Sequence, residues 1–386
     1  MSRNLPAIPL AIPNIGAGEA KNLQACVDTN FVSSVGPFVT EFEERVAALS
    51  GSSAGVAMGA GTQALHMALR ATDIGPGDLV ILPSFTFIAS ANAISHSGAT
   101  PWLMDIDPAS WTLDPETVRT ALKTHTEMRG GTLRHKASGM RVAAMIPVYT
   151  LGTPADMDAL GSIASEYGLV IIADAAAAIG VDYRGQPIGP KAHMTCYSFN
   201  GNKTITCGGG GMVVGDDPML MKRVRHLSTT ARVSPNYEHD MVGYNYRMTN
   251  VQAAIGCAQL DRLNDFLAVK RRIRARYNDA FSGQTGVGVF PQPEDRESAC
   301  WFSGLVLEDD ALPPVNDVCA RLKEHNIEAR PFWMPVHMQA PYAQAIREAC
   351  PVTEGVWQRI LTLPCSTSLS PADQERVIAA VEAALS

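Results

Sequence analysis

Two residues carry most of the chemical promise in this chain. Lys203 stands in "SFNGNKTITCGGGG", just ahead of four consecutive glycines, and Asp174 closes the apolar run "LVIIAD". A lysine beside glycines suits a phosphate cradle, where it acts as a point charge. It equally suits a nucleophilic amine held where backbone approaches a flat ligand. A phosphate loop needs G-x-x-x-x-G-K-[ST], with the glycines ahead of the lysine, and here they follow it. A dinucleotide fingerprint needs its glycines to open a helix, whereas these feed the strand-like "MVVG". What remains is a Schiff-base lysine, whose amine must be desolvated to hold a neutral fraction near neutral pH. The plainer alternative is an ordinary surface lysine.

An aspartate at the end of a buried run is costly unless a cation meets it. The protonated ring nitrogen of pyridoxal phosphate is such a cation, and the carboxylate in return keeps the ring an electron sink. The alternative for Asp174 is a helix N-cap on "AAAAIG". A phosphate site is also needed. "GAGTQAL" sets Gly61 and Thr62 at a helix start, where backbone N–H groups and a hydroxyl can gather an anion. Ser198, five residues before the lysine, offers another hydroxyl. Phe87, after "VILPS", either stacks on a flat ring or packs in the core.

These residues need elements to position them. From about residue 40 to residue 215, short apolar runs such as "LVILPSF", "TPWLMDID", "VAAMIPVY" and "LVIIADAA" alternate with helical patterns. Asp114 and Pro115 mark one helix start. The alternation predicts an α/β fold with a mainly parallel sheet covered by helices on both faces. In such sheets ligands sit beyond the carboxyl ends of the strands. That rule selects Gly61 and Thr62, residues 84–87, Tyr149, Asp174 and residues 198–203. Residues 124–140, with Arg129, Arg134, His135 and Lys136, interrupt the rhythm, as a solvated loop or as a basic flap touching an anionic ligand or a partner subunit. A long helical pattern over 250–282 leads to a smaller C-terminal α+β part.

Composition narrows the function classes. Of the 386 residues, 46% are hydrophobic and 18% charged, as in ordinary globular proteins. A net charge of −7 argues against a broad nucleic-acid surface. Eight cysteines show no CxxC pair or zinc spacing and read as reduced, buried thiols of a cytoplasmic protein. The opening "MSRNLPAIPLAIPNIG" lacks a hydrophobic signal core, and no apolar stretch is long enough to span a membrane.

The ordered set "VGPFVTEFEERVAALSG", "GAGTQALHMALRA", "IGPGDLVILPSFTFIASANAI", "IIADAAAAIG", "YSFNGNKTITCGGGGMVV", "VGYNYRMTNVQAAIGCAQLDRL" and "RPFWMPVHMQAPY" resembles the DegT-type sugar-nucleotide aminotransferases. The resemblance covers nearly the whole chain. It implies a fold type I pyridoxal-phosphate enzyme with a seven-stranded sheet, a large domain over 1–255 and a small one over 256–386. Lys203 matches the lysine bonded covalently to the cofactor, and Asp174 the partner of its ring nitrogen. Gly61, Thr62 and Ser198 match the phosphate cup, and Phe87 the aromatic that stacks on the ring. Asn245, in "GYNYR", matches an asparagine that reaches the phosphate from the other subunit of a homodimer. Tyr149, Arg330 and His337 fall near the sugar substrate.

The resemblance further implies L-glutamate as amino donor and a UDP-linked 4-keto-6-deoxy-N-acetylhexosamine as acceptor, on the route to legionaminic acid or bacillosamine. Three positions depart from the family pattern: Ala177 for Gln or His, Gly209 for Glu, and Tyr149 for His. The related sugar 3-dehydratases carry His in place of the lysine, so Lys203 argues for transamination. A pyridoxal-phosphate dehydratase or lyase, and a non-catalytic cofactor-bound regulator, are the competing readings.

Overall fold

The computed structural model describes residues 6–386. Its main sheet is built on β1 Ala54–Met58, β2 Asp78–Pro83, β3 Thr100–Met104, β4 Arg141–Met145, β5 Val170–Asp174, β6 Met194–Ser198 and β7 Gly211–Gly215. Their spatial order is β1-β7-β6-β5-β4-β2-β3. β7 pairs antiparallel with both neighbours, and the other pairings are parallel. Parallel neighbours require crossover connections, which explains the alternation of strand and helix along the chain.

The sheet holds ten strands rather than the seven expected. The hairpin Thr126–Arg129 and Thr132–His135 joins β4 through Arg134 opposite Arg141, and Ile346–Arg347 adds beside β3. The hairpin occupies the stretch read from sequence as a loop. Its polar composition hid it, because an exposed two-stranded ribbon needs no apolar face.

Strands of this sheet are buried on both faces. In β5, Ile171 and Ala173 enter one core and Ile172 the other, so the sequence reads as one apolar run. Helices Pro37–Leu49, Pro115–His125 and Met157–Tyr167 cover the first face through Phe42, Val118 and Leu160. Helices Gly61–Ala71, Ala89–His96 and Pro218–Ser228 cover the second through Leu65, Ile94 and Val224. Asp114 caps its helix as expected, accepting from the N–H groups of Glu116 and Thr117.

A second, antiparallel sheet follows: β8 Val287–Val289, β9 Ser303–Leu307, β10 Arg330–Pro331 and β11 Ile360–Leu363, in the order β8-β9-β11-β10. Helices Val315–Glu324 and Pro371–Leu385 pack on it through Val318, Leu322, Val377 and Val381. The helical pattern over 250–282 is two helices, Asn250–Leu260 and Leu263–Phe281. The break falls at Arg262, whose guanidinium turns back to the carbonyl and side-chain oxygens of Asn14. Beyond it the second helix gives Leu263, Phe266 and Leu267 to one core, and Ile273, Tyr277 and Phe281 to the other.

The position expected to divide two domains, between residues 255 and 256, lies inside the helix Asn250–Leu260. The chain also crosses between the two sheets at both ends. Ile8 bridges to Ile327 and Leu10 packs in the second core, while Val336 and Tyr342 return to the first sheet. Such crossing ties the two sheets together and fixes the walls of the space between them. All eight cysteines are free, and Cys319 is the partly exposed one. Among the described residues no helix is long and apolar enough to cross a membrane.

Candidate active site

A cavity of about 610 Å³ opens at the carboxyl ends of the main strands, facing the second sheet. Gly61, Thr62, Phe87, Tyr149, Asp174, Ser198, Lys203 and Arg330 all line it. All of these but Arg330 stand where the strand-end rule places a ligand.

Asp174 ends β5 and is buried. Its Oδ2 accepts from the Ser90 hydroxyl at 2.6 Å and its Oδ1 from the Ala176 N–H at 3.1 Å. No helix begins after it, so the N-cap alternative is not the role it plays. Burial pushes its pKa up, against the lowering effect of Ser90, Ala176 and Lys203. Hydrogen bonds to a charged group contribute about 1.5–3 kcal/mol each, while desolvating an ion costs several kcal/mol. Two such bonds leave the carboxylate incompletely compensated, and a cation in the cavity would complete it.

Lys203 sits on the turn after β6, where its N–H donates to Asn200 O at 3.0 Å. The residue retains some solvent exposure, but its ammonium lies over the Trp301 ring, 3.6 Å from the centroid. Burial lowers its pKa to about 8, with Asp174 acting in the opposite direction. Lys203 and Asp174 line the same cavity yet form no direct ion pair. Each is left facing a space that a ligand can fill.

The helix Gly61–Ala71 starts at the cavity, and its N-cap residue, Ala60, has no side chain that can satisfy the first N–H groups. A Cβ on Gly61 would lie 2.8 Å from the Cβ of Ser198, and one on Gly211 would lie 2.5 Å from Ala60 O. Neither contact is tolerable, so glycine is required where the two strand ends meet the helix start. The result is a bare helix terminus beside the Thr62 and Ser198 hydroxyls, a geometry that binds phosphate.

The opposite wall is aromatic. Phe332 and Trp333 stack at 4.2 Å, Trp333 approaches Trp301 at 5.8 Å, and Phe87 meets Trp333 at 6.1 Å. Trp301 is fixed from behind. Its Nε1 donates to Asn202 O at 2.7 Å, and its carbonyl accepts from Lys270 Nζ at 2.9 Å.

A desolvated amine, a buried acid and a bare helix terminus around one cavity are the parts of a pyridoxal-phosphate site. The sequence profile of the DegT/DnrJ/EryC1/StrS aminotransferase family matches residues 13–382. The chain belongs to this family. It is 36% identical over 395 residues to the GDP-perosamine synthase of Caulobacter vibrioides, covering 99% of each chain. It is 33% identical over 364 residues to the GDP-perosamine synthase of Escherichia coli O157:H7, covering 94% of each. Among solved structures, S. venezuelae DesV in complex with a ketimine intermediate superposes with a TM-score of 0.87 at 31% identity, covering 98% of both chains. The protein is a pyridoxal-phosphate-dependent transaminase, and the relatives it matches are sugar aminotransferases.

The chemistry of the lining suits that cofactor: Gly61, Thr62 and Ser198 would hold its phosphate, Asp174 would face its ring nitrogen, and Lys203 would meet its aldehyde. Phe87, on the cavity rim and more than half exposed, leaves a ring face free. Sequence reading missed Ser90, Thr86, Trp301 and Trp333. Ser90 and Thr86 lay in plain view in "SFTFIASANAI", but nothing local marks which hydroxyl reaches a carboxylate eighty-four positions away.

Other expectations are placed differently. Asn245 is exposed and does not line the cavity of its own chain. His337 is buried outside the lining, with Nδ1 2.6 Å from Ser84 Oγ, so it fastens the wall segment to the loop after β2. Its Nε2 lies 3.2 Å from Glu354 Oε1 without hydrogen-bond alignment, and burial lowers its pKa. The Tyr149 hydroxyl is buried and unpartnered, and burial beside Tyr197 and Tyr183 raises its pKa. It therefore presents no titrating group to the cavity.

The basic residues of 129–136 sit on the hairpin, which joins β4 at its amino end, away from the cavity. Arg134 and Lys136 spend their donors on carbonyls of the same region. That geometry takes the stretch away from a ligand in this cavity. Of the departures from the family pattern, Ala177 and Gly209 line the cavity with no polar side chain.

Proposed function

We propose that the enzyme transfers the amino group of L-glutamate to carbon 4 of a nucleotide-linked 4-keto-6-deoxy sugar, and that the acceptor is UDP-4-keto-6-deoxy-N-acetylglucosamine. The carrying observation is Lys203 and Asp174 in one cavity, the acid buried, the amine partly so beneath Trp301, and the two unpaired with each other. Pyridoxal phosphate, when bound, supplies an aldehyde for the amino group and a ring that stabilises negative charge on the carbon losing its proton.

The protein supplies the rest. Lys203, neutral in part near its pKa of about 8, takes a proton from the substrate carbon and returns it. Asp174 holds a proton on the ring nitrogen by charge. Trp301 keeps water from the amine, and the helix terminus at Gly61 anchors the phosphate. Arg330 and Lys203 are the cationic side chains of the lining, which makes Arg330 the partner for the sugar's diphosphate.

The active unit in this reading is a homodimer. Asn245 is exposed and outside the lining of its own cavity, and Phe31, Val32, Val35, Met241 and Val242 are exposed apolar side chains. A second copy would cover them and receive Asn245 at its phosphate cup.

A second reading exchanges the nucleotide for GDP, favoured by the GDP-perosamine synthases at 36% and 33% identity. UDP-, GDP- and dTDP-linked 4-keto sugars, each incubated with the loaded enzyme and L-glutamate, separate the readings by product mass. Amination of the UDP sugar alone supports the first, and of the GDP sugar alone the second. No product from any of them would overturn both readings and place the acceptor outside these three nucleotide classes.

A further inference from the structure

Two hydroxyls stand behind Asp174. Ser90, in the first turn of the helix Ala89–His96, donates to Asp174 Oδ2, and its Oγ lies 3.1 Å from Thr86 Oγ1. Ser90 and Thr86 are each 1% exposed, and both line the cavity. The direction of this chain follows from chemistry. An ionised carboxylate only accepts, so the Ser90 proton points at Asp174. The Ser90 oxygen is then free to accept, and the Thr86 O–H donates to it in preference to its longer contact with Phe87 O at 3.4 Å.

We propose that Thr86 and Ser90 form a positioning relay that keeps Asp174 ionised and in one orientation, ready for the ring nitrogen of the cofactor. This rests on the assignment of Asp174 made above. Each carboxylate oxygen has a single donor, Ser90 on one side and the Ala176 N–H on the other. Rotation of the group therefore breaks both bonds. Lys203 and Cys196 are the titratable groups facing Asp174, and neither is hydrogen-bonded to it. Without the Ser90 donor, one oxygen is left bare in a water-poor site, and the neutral acid is favoured. A neutral acid is not the counter-ion a protonated nitrogen requires. The relay also joins the carboxylate to the loop that carries Phe87, so one hydrogen-bonded unit sets two contacts to the ring.

The test is the affinity of the cofactor-free protein for pyridoxal phosphate, measured by equilibrium dialysis across a pH series, with the thermal midpoint of each variant alongside. Ser90→Ala should weaken binding about tenfold and move the pH at which binding is lost on acidification upward, because losing a donor raises the acid's pKa. Thr86→Val should act in the same direction and less, and Ser90→Thr should restore binding. Thermal midpoints should stay near that of the native chain.

An unchanged affinity and pH profile in Ser90→Ala overturns the relay, as does an affinity loss that simply follows lost stability. Thr86→Val carries the test if Ser90→Ala does not fold. Asp174→Asn separates the two levels. If it alters binding while Ser90→Ala does not, only the relay falls. If it leaves binding and its pH profile as in the native chain, the assignment of Asp174 falls and the relay with it.

Discussion

The floor and the wall of the cavity are built on different physics. The floor, at the ends of β5 and β6, is polar and tied by hydrogen bonds: Asp174 to Ser90 and Ala176, with the Gly61 helix terminus beside Ser198. The wall, from the second sheet and its flanks, is a run of aromatic faces, Trp301, Phe332 and Trp333, with one guanidinium at its edge. Hydrogen bonds fix positions to tenths of an ångström, whereas stacked faces tolerate sliding. The floor is therefore suited to a fixed reaction centre and the wall to the choice of substrate. The wall also acts on the floor, because Trp301 covers Lys203 and helps strip it of water.

Three substitutions can break or sharpen this contrast. Lys203→Ala, on the floor, should abolish turnover and the covalent attachment of the cofactor, read by loss of its visible absorbance. The same variant should not be less stable without cofactor. The folded pKa of Lys203, about 8, lies below its ordinary 10.5, so the native protein pays for the charged amine below pH 8 and gains stability as pH rises. A stability loss at neutral pH in this variant would contradict a desolvated amine.

Trp301→Leu, where wall meets floor, should reduce kcat at neutral pH, because water admitted to Lys203 leaves less of its amine neutral. Its more telling effect is on pH. Admitting water to Lys203 returns its pKa toward 10.5, so the alkaline rise in rate should move to higher pH. An unmoved profile would show that Trp301 only packs. Arg330→Gln, at the exposed edge, should have the smallest effect. It should raise KM for the sugar nucleotide several-fold, since screened surface charges contribute about 1 kcal/mol or less. Stopped-flow spectra of the L-glutamate half-reaction should stay unchanged, and a slowed half-reaction would assign Arg330 to the donor instead.

Much of the floor was legible in the sequence because it lies where apolar runs stop. "LVIIAD" ends in Asp174 and "HMTCYS" in Ser198 because a doubly covered strand must be apolar until it leaves the sheet. The glycine run made sense only in three dimensions. Gly208 and Gly210 have φ of 77° and 147°, and Gly211 meets the Ala60 carbonyl. A Cβ on Gly209 would meet Gln252 Nε2 at 3.6 Å and Gly59 O at 3.7 Å, ordinary contact distances, so nothing there demands glycine. The wall was hardly legible. "CWFSG" and "RPFWMP" look like any aromatic-rich core segments, and their convergence on Lys203 depends on how the second sheet docks.

The sequence by itself determined the parallel sheet, its order of helices and strands, and the residues at the strand ends. Those follow from local rules: residue periodicity, caps, and the burial of both sheet faces. The tertiary structure decided which of those residues share a cavity and what surrounds them. It moved the basic stretch to the far end of β4, buried His337 against Ser84, and set Ser90 on Asp174 and Trp301 on Lys203. These contacts join residues tens to hundreds of positions apart. Their energies depend on desolvation and alignment, which no local stretch of chain encodes.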